Sequence, residues 1–377
     1  MTGTTVRKRA DDRERGSGSG GHETATPLLE VENLRVWFDT PRGMVRAVDG
    51  VDLRLNAGET LGVVGESGSG KSVLSRAIMK ILAPNARVLP GSGIRLNGTD
   101  LSQVTQKQNR HLWGVDLAMV FQDPMTSLTP VLTIGSQLIE TLRYHLGLDR
   151  EQARQEAIRL LTLVGIPEPE KRLKQYPHNL SGGMRQRVTI ALAISCSPKL
   201  LIADEPTTAL DVTVQHQILN LLQDLQNASG MGMILITHDL GVVAGRTDSI
   251  AVMYAGRIVE KAPTRSLFAD TRHPYSRALI KAIPRLSYPS HTRLSAIPGR
   301  PPIVIDPPPG CRFAPRCPLA QDRCLRETPE LTAMAEPTHT AACFFPLGTP
   351  EGEEALRRNL AAGRTAAGTT VDPKDVI

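Results

Sequence analysis

The feature that most constrains this chain is the octapeptide at positions 65–72, Gly-Glu-Ser-Gly-Ser-Gly-Lys-Ser. It follows an apolar run, Thr60 to Val64, that is typical of a short buried strand, and it precedes a segment with helical spacing that starts at Val73. A glycine-rich turn between a strand and a helix presents backbone N–H groups and a positive helix end to a phosphate. The pattern predicts a nucleotide-phosphate loop in which Lys71 reaches the β- and γ-phosphates and the Ser72 hydroxyl ligates Mg²⁺. By itself, the loop does not separate a kinase, a GTPase and a transport ATPase.

Composition narrows the class of protein further. The chain has 377 residues, of which 40% are hydrophobic, enough for one large domain and a smaller one. No apolar run approaches about 18 residues, and the N-terminus lacks the apolar part of a secretory signal. The net charge of +6 fits nucleotide binding or an anionic membrane face, whereas 3% aromatic residues leave few stacking platforms for single-stranded nucleic acid. We therefore expect a cytosolic protein that associates with a membrane only through partners.

Changes in composition and periodicity divide the chain. The charged and Gly/Ser-rich start cannot form a core and predicts a disordered tail. Short antiparallel-looking strands, a helical stretch at about 130–195 and further strand–helix alternation predict an α/β domain with a doubly wound, largely parallel sheet. A proline-rich segment with clustered cysteines then predicts a separate, loop-rich appendage. The predicted boundaries are 1–27 for the disordered tail, 28–262 for the α/β domain, 263–346 for the appendage and 347–377 for a second flexible tail.

Two further stretches suit nucleotide chemistry. The apolar run Leu200 to Ala203 ends in Asp204, which is placed to hold Mg²⁺, and Glu205, which can orient or deprotonate an attacking water. The stretch Leu180 to Met184, Leu-Ser-Gly-Gly-Met, opens a helix and forms a second anion site. One nucleotide has little use for two such sites in one chain. We therefore expect the second site to serve a nucleotide held by a neighbouring subunit.

Six elements of this sequence, taken in order, resemble those of the ATP-binding subunits of ABC transporters, over roughly residues 28–262. They are the loop at 65–72, Gln122 after Val120-Phe121, Leu180 to Met184 with Met184 in place of the family's glutamine, Leu201 to Glu205, Ala209-Leu210-Asp211, and His238 after Ile234 to Thr237. The resemblance implies an α/β P-loop NTPase of the ABC cassette type, with a mixed, partly parallel sheet, antiparallel strands and a helical subdomain. It also implies an ATPase that converts ATP and water to ADP and phosphate.

The same resemblance assigns roles to residues. Two such subunits would close head to tail on two ATP molecules with Mg²⁺, so that each phosphate loop faces the other subunit's signature residues. The implied catalytic residues are Glu205, His238 and Lys71. The implied nucleotide contacts are Phe38, Gly65, Ser67, Gly68, Gly70, Lys71, Ser72, Gln122, Ser181, Gly182, Gly183 and Asp204, with Ser72, Gln122 and Asp204 on Mg²⁺. Phe38 resembles the aromatic residue that stacks on adenine, although Trp37 beside it competes for that role.

The segment at about 262–346 resembles the C-terminal extension of oligopeptide and dipeptide importer ATPases. The resemblance rests on His273-Pro274-Tyr275-Ser276-Arg277-Ala278-Leu279, on Pro298-Gly299, and on Gly310-Cys311-Arg312-Phe313-Ala314-Pro315-Arg316-Cys317. It implies peptide import across the cytoplasmic membrane, with nickel or another metal as an alternative cargo. A soluble ABC ATPase acting on ribosomes or DNA is a further alternative, but such proteins usually carry two cassettes or a coiled-coil insertion.

The resemblance also implies partners. They are a second ATPase subunit, usually a paralogue in this group, two membrane-spanning permease subunits and, indirectly, an extracytoplasmic peptide-binding protein. No nucleic-acid partner is implied. These partners would place the chain peripherally on the cytoplasmic face of the cell membrane.

Four cysteines, Cys311, Cys317, Cys324 and Cys343, fall within 33 positions of the appendage. Their spacing matches neither a zinc ribbon nor a plant-type ferredoxin. A metal centre would tie together a proline-rich segment with little core of its own, and some members of the importer group are thought to hold an iron–sulfur cluster here. A [4Fe–4S] cluster, a zinc ion and free reduced thiols are the three alternatives. Cys196 is expected to be a small buried hydrophobic residue.

Overall fold

A computed structural model describes most of the chain. The described residues are 26–105, 112–123, 127–208, 210–283, 297–302, 304, 305, 307 and 309–371. Nearly all of the tail predicted at 1–27, and Ala209 of the predicted site loop, lie outside the described residues.

The described strands, numbered in chain order, share an apolar or alternating pattern. They are β1 (Leu29–Thr40), β2 (Gly43–Leu55), β3 (Thr60–Val64), β4 (Ala86–Val88), β5 (Gly93–Leu96), β6 (Thr99–Asp100), β7 (Leu117–Val120), β8 (Leu200–Asp204), β9 (Gly232–Thr237), β10 (Ser249–Tyr254), β11 (Arg257–Pro263), β12 (Thr332–Ala333) and β13 (Thr340–Ala341).

The described helices connect these strands or pack on them. They are α1 (Lys71–Ile78), α2 (Ile134–Leu146), α3 (Arg150–Leu163), α4 (Pro169–Arg172), α5 (Gly182–Ile194), α6 (Val212–Ser229), α7 (Leu240–Val243), α8 (Thr264–Ala269), α9 (Pro274–Lys281), α10 (Asp322–Arg326) and α11 (Pro350–Ala362). Within the described residues, none of these helices combines the length and the apolar character that crossing a bilayer requires.

The strands form two sheets. The first is antiparallel, with the order β2–β1–β5–β6 and with β4 also paired to β1. The second has the order β12–β13–β11–β10–β3–β9–β8–β7, and its strands from β10 to β7 run parallel. All residues of β3, β8 and β9 are buried. Because these strands are covered on both faces, most of their residues are apolar, and the polar ones, Thr60, Asp204 and Thr237, lie at strand ends.

Successive residues of β3 enter two different hydrophobic clusters. Leu61 and Val63 pack with β1, β2 and α1, whereas Val64 packs with the helices between residues 134 and 229. The alternation follows from the two-residue period of a strand. The parallel sheet is therefore held between two apolar layers, and its strands all end at one edge.

The appendage predicted at 263–346 is continuous with the α/β domain, so the prediction that it is separate was wrong. Its strand β13 pairs antiparallel with β11 and extends the second sheet. Glu260 of β11 is fully buried, and its carboxylate accepts the backbone N–H groups of Arg272 at 2.6 Å and His273 at 3.0 Å. Its Oε1 also lies 2.8 Å from Nε2 of His339. A buried carboxylate needs such partners, and these bonds tie the appendage to the sheet.

The tail predicted to be flexible at 347–377 contains α11 instead. The side chain of Thr349 caps the first turn of this helix at 3.2 Å. The Asn359 amide donates to the carbonyl oxygens of Pro318 at 2.8 Å and Ala320 at 3.2 Å. The helix is therefore docked on the cysteine-bearing segment, and its small and charged composition concealed this in the sequence.

His273 gives the fold a dependence on pH. It caps α9 by accepting the N–H of Tyr275 on Nδ1 at 3.1 Å, and full burial lowers the pKa of His273 to about 4, against the opposing charge of Glu260. The unfolded side chain titrates near 6.5, so the folded state has the lower pKa and stability is lost as pH falls. We expect the contribution of His273 to the free energy of unfolding to be constant above about pH 6.5 and to fall by about 3 kcal/mol between about pH 6.5 and pH 4. Denaturant titrations at several pH values measure this.

His273→Asn is the matched control for this prediction, because asparagine can cap the same N–H without titrating. The variant should show a flatter dependence on pH between about 6.5 and 4. An unchanged slope in the variant would show that another group is responsible.

Candidate functional site

The loop at 65–72 joins the end of β3 to the start of α1. Gly70 has a φ of 105°, and a Cβ there would lie 2.2 Å from the carbonyl oxygen of Ala47. Gly68 has a φ of 79°, and a Cβ there would meet nothing within 4 Å. Glycine at these two positions lets the backbone turn inward while part of the loop stays open to an incoming anion.

Lys71 lies beneath this loop with only 4% of its surface exposed. Its Nζ donates to the carbonyl oxygens of Gly65 at 2.7 Å and Glu66 at 3.0 Å. Burial lowers the pKa of Lys71, and the charges of Glu205 and Asp204 oppose that shift. The ammonium is thus held by two neutral carbonyls that phosphate oxygens can replace with stronger, charge-assisted bonds.

Ser72 and Asp204 meet between the first turn of α1 and the end of β8. The Ser72 hydroxyl donates to Oδ1 of Asp204 at 3.2 Å, and the Ser75 hydroxyl donates to Oδ2 at 3.3 Å. Burial raises the pKa of Asp204, and the bond from Ser72 works against that shift. Mg²⁺ is commonly held by one or two protein carboxylates together with waters and substrate phosphates. The hydroxyl and carboxylate found here fit that donor set.

Glu205 follows β8 and is the point where side chains from three strand ends meet. Its Oε2 accepts hydrogen bonds from Gln122 Nε2 and from Thr208 Oγ1, both at 3.0 Å, and lies 3.3 Å from Nδ1 of His238. Gln122 follows β7 and His238 follows β9. Ligand sites of open α/β sheets form at this edge, beyond the carboxyl ends of the parallel strands. The structure therefore brings Gln122, Glu205 and His238 together.

The second predicted anion site lies at the N-terminus of α5. Ser181 is the N-cap, and its Oγ accepts the N–H of Met184 at 3.3 Å. Among the described residues, no hydrogen bond or ion pair links Ser181, Gly182 or Gly183 to the phosphate loop. The structure does not bring this helix end into the cluster around Glu205 in a single chain.

Two neighbouring aromatic residues of β1 were candidates for stacking on adenine, and they contact different parts of the protein. Phe38 is half-buried and packs on the cluster that contains α1. Trp37 is also half-buried, and the Arg46 guanidinium lies 4.7 Å from the centre of its ring. The Trp37 face is thus already covered by a cation, and Phe38 stays the prediction.

Cys311, Cys317, Cys324 and Cys343 converge on one small cavity, which they share with aromatic side chains such as Phe313. Burial raises the pKa of all four thiols, that of Cys343 to about 12. The cavity of about 10 Å³ has room for about one water. Across the described part of the chain, no group of three or more His, Cys, Asp or Glu side chains has metal-holding geometry. The geometry of the described residues therefore does not support the expectation of an iron–sulfur cluster.

Contacts between Glu66 of the phosphate loop and the appendage at 263–346, called the C-terminal segment from here on, were missed in the sequence. Arg316 holds the Glu66 carboxylate with two bonds, of 2.6 and 3.0 Å, and the hydroxyl oxygen of Tyr275 accepts the Glu66 N–H at 2.8 Å. Arg316 is 250 positions from Glu66 in the chain, and no local sequence pattern joins the two.

Comparison with known proteins follows the same division of the chain. Residues 48–208 match the ABC transporter family, and residues 259–324 match the C-terminal region of oligopeptide/dipeptide transporters. The chain is 49% identical to the dipeptide transport ATP-binding protein DppD of Escherichia coli over 85% of this chain and 97% of the relative. It is 49% identical to the oligopeptide transport ATP-binding protein OppD of Salmonella typhimurium, over 86% and 96%. DppD of Bacillus subtilis is 48% identical, over 84% and 94%.

Solved structures of ABC transporter proteins resemble somewhat under two thirds of this chain. The dimeric bacterial ABC transporter cassette MJ0796 aligns with a TM-score of 0.56 and 25% identity, over 63% of this chain and 99% of that one. The protein cbiO1 of Clostridium perfringens, part of the ABC transporter complex cbiONQ, aligns with a TM-score of 0.54 and 28% identity, over 64% and 91%.

Proposed function

This chain belongs to the ATP-binding subunits of ABC transporters, in the oligopeptide and dipeptide group, and on that premise we propose how its site works. The chain hydrolyses ATP to power import of oligopeptides or dipeptides across the cytoplasmic membrane. One observation carries the proposal: the Ser72–Asp204 pair lies at the same edge of the parallel sheet as Glu205, Gln122 and His238.

Each residue at this edge has a proposed role. The loop N–H groups, with Gly65, Ser67, Gly68 and Gly70, surround the phosphates and Lys71 donates to the β- and γ-phosphate oxygens. Ser72, Gln122 and Asp204 would hold Mg²⁺, which when bound neutralises charge on the phosphates. Glu205 orients and deprotonates the attacking water, while His238 contacts the γ-phosphate. The 3.0 Å bond from Gln122 and the 3.3 Å approach of His238 keep the Glu205 carboxylate oriented before nucleotide arrives.

Completion of the site is proposed to need a second ATPase subunit. Ser181, Gly182 and Gly183 cap a helix whose N-terminus suits an anion, yet they make no bond to the phosphate loop of their own chain within the described residues. A partner arranged head to tail would present its own helix end to this loop. The cassette MJ0796 is dimeric in its solved structure, which supports the need for a second subunit. The partner is proposed to be a paralogue.

Two permease subunits and an extracytoplasmic peptide-binding protein complete the proposed assembly. The names of the relatives, which describe peptide-transport ATP-binding proteins, support a role in transport. The chain would sit peripherally on the cytoplasmic face, attached through the permeases. ATP would close the two ATPase subunits, and this closure would move the permeases through rigid contacts. Hydrolysis would then reset the assembly.

Reconstitution tests the proposed function. The chain, co-expressed with its permeases, is placed in liposomes with the binding protein and ATP, and uptake of labelled peptides and of ⁶³Ni²⁺ is measured. Peptide uptake that depends on ATP is expected. Uptake of nickel alone would favour the metal-importer alternative, and co-purification with ribosomes or DNA instead of permeases would favour a soluble ABC ATPase.

The adenine contact can be tested separately. Phe38→Ala should raise the KM for ATP by about tenfold with a smaller change in kcat, because base stacking contributes about 1–3 kcal/mol per base. ATPase kinetics measure this, with Trp37→Ala as the matched control. A larger rise in KM from Trp37→Ala would move the adenine contact to Trp37.

The four-cysteine centre stays a separate hypothesis, supported by the donor count and by the convergence of the thiols on one cavity. Anaerobic purification tests it. A sample with no bound iron and no absorbance near 400 nm would end the iron–sulfur version.

A further inference from the structure

The C-terminal segment reaches the phosphate loop at Glu66, and three atoms or groups of this residue are fixed. Its carboxylate is held by Arg316, and its N–H is accepted by Tyr275. Its carbonyl oxygen accepts from Lys71 Nζ at 3.0 Å and from the Ser69 N–H at 3.2 Å. Glu66, whose carbonyl oxygen accepts the hydrogen bond from Lys71, is thus held in place by side chains of the C-terminal segment.

The guanidinium of Arg316 is built into its position. It is 4% exposed, and its Nε donates to the carbonyl oxygen of Pro298 at 2.7 Å. Its Nη2 also reaches the Ile297 carbonyl oxygen at 3.3 Å, and its Nη1 reaches the Tyr254 hydroxyl at 3.3 Å. The Arg316 guanidinium is planar, has five donors and is bonded on several sides. Because it binds the Glu66 carboxylate with two bonds, it also sets the orientation of that carboxylate.

Tyr275 is held equally firmly. Its side chain is fully buried, and its ring centroid lies 4.6 Å from that of Tyr254 and 5.3 Å from that of Phe313. Because the ring cannot shift without repacking these aromatic neighbours, its hydroxyl oxygen is a rigid acceptor for the loop N–H.

A second route runs from the same segment to the other side of the loop. The carbonyl oxygen of Ser69 accepts the Gly256 N–H at 2.8 Å. The carbonyl oxygen of Ala255, the preceding residue, accepts a hydrogen bond from Arg312, whose guanidinium also pairs with Asp49. The C-terminal segment therefore supports the loop at both ends, at Glu66 directly and at Ser69 through the β10–β11 turn.

We propose that Arg316 and Tyr275 are positioning residues for ATP binding: they hold Glu66 so that the loop N–H groups and Lys71 are ready for the phosphates. The C-terminal segment is then a part of the nucleotide site. Loss of the contacts that Arg316 and Tyr275 make with Glu66 lowers the affinity for ATP, because binding then has to supply the free energy that orders the loop. The inference rests on the proposed function of the phosphate loop.

The test measures equilibrium binding of ATP to the full chain by calorimetry, with EDTA present to prevent turnover. Tyr275→Phe keeps the ring and removes only the acceptor, and Arg316→Lys keeps the charge and removes the bidentate grip. Each should raise the Kd for ATP by about tenfold, while thermal unfolding shows a folded chain. Ser266→Ala is the matched control, because it removes a 2.8 Å bond from Ser266 to Glu336 in the C-terminal segment, away from the loop.

A double-mutant cycle separates positioning from general support of the fold. In a Glu66→Ala chain the Arg316→Lys change should alter the Kd for ATP by less than about twofold, because the carboxylate that Arg316 holds is absent. Folded Tyr275→Phe and Arg316→Lys chains that bind ATP as the parent does would overturn the inference, and so would an Arg316→Lys effect that is undiminished in the Glu66→Ala chain. If Arg316→Lys does not fold, Tyr275→Phe decides alone. A parent chain that fails to bind ATP would overturn the proposed function as well.

Discussion

Glu205→Gln should lower ATP turnover by about 10²- to 10⁴-fold and leave the Kd for ATP within about threefold of the parent. The amide has the shape of the carboxylate, so Gln122 and Thr208 can still donate to its oxygen, but it cannot accept the proton of the attacking water. Steady-state phosphate release from the assembled transporter measures turnover. Equilibrium binding to the full chain measures the Kd.

Asp224→Asn provides the matched control for this change. Asp224 is an exposed carboxylate on α6, and its neutralisation should leave both turnover and binding unchanged. Turnover by Glu205→Gln at the parental rate would remove Glu205 from the role of general base.

Lys71→Met should weaken ATP binding by about a hundredfold or more and abolish measurable turnover at millimolar ATP. Methionine fills the buried space of the side chain, but it has no donor for the phosphate oxygens that would replace the Gly65 and Glu66 carbonyls. Binding of ATP to the full chain, with and without Mg²⁺, measures the loss.

Lys80→Met is a close match for a control. Lys80 follows α1 and, like Lys71, donates to two backbone carbonyl oxygens, those of Leu101 at 2.6 Å and Val104 at 2.8 Å. It lies outside the phosphate loop, so the same substitution should cost stability without weakening ATP binding. Equal losses of affinity in the two variants would show that Lys71 acts on the fold and does not contact phosphate.

The sheet and its functional edge were predictable because the signals are local. Each buried parallel strand is an apolar run, and chemistry-bearing residues such as Asp204, Glu205 and His238 come directly after such runs. The contacts of Glu66 were not predictable in this way. Its partners Tyr275 and Arg316 lie 209 and 250 positions away, and no periodicity encodes which distant side chains meet.

The C-terminal part shows two different reasons for failure. The helix from Pro350 carries a usable signal, with Thr349 as N-cap, proline at the first position and acidic residues in the first turn, but its small and charged composition outweighed that signal. The pairing of β13 with β11 carries no such signal, because a strand of two residues has too few positions to show a period. The helix from Pro350 was missed because composition was weighted above its capping signal. The pairing of β13 with β11 was missed because a single sequence holds no information about it.

Because β13 pairs with β11, the α/β domain cannot be separated from the C-terminal segment without exposing an edge of its sheet. Shortening it after Pro263 would leave β11 as a bare outer strand, and Glu260 would lose the three groups that surround its carboxylate. An exposed edge strand has unpaired backbone N–H and C=O groups, which can pair with strands of other molecules. A shortened chain would therefore aggregate and would not form a smaller active ATPase. Truncation of the gene at its 3′ end would thus abolish the ATPase activity of its product.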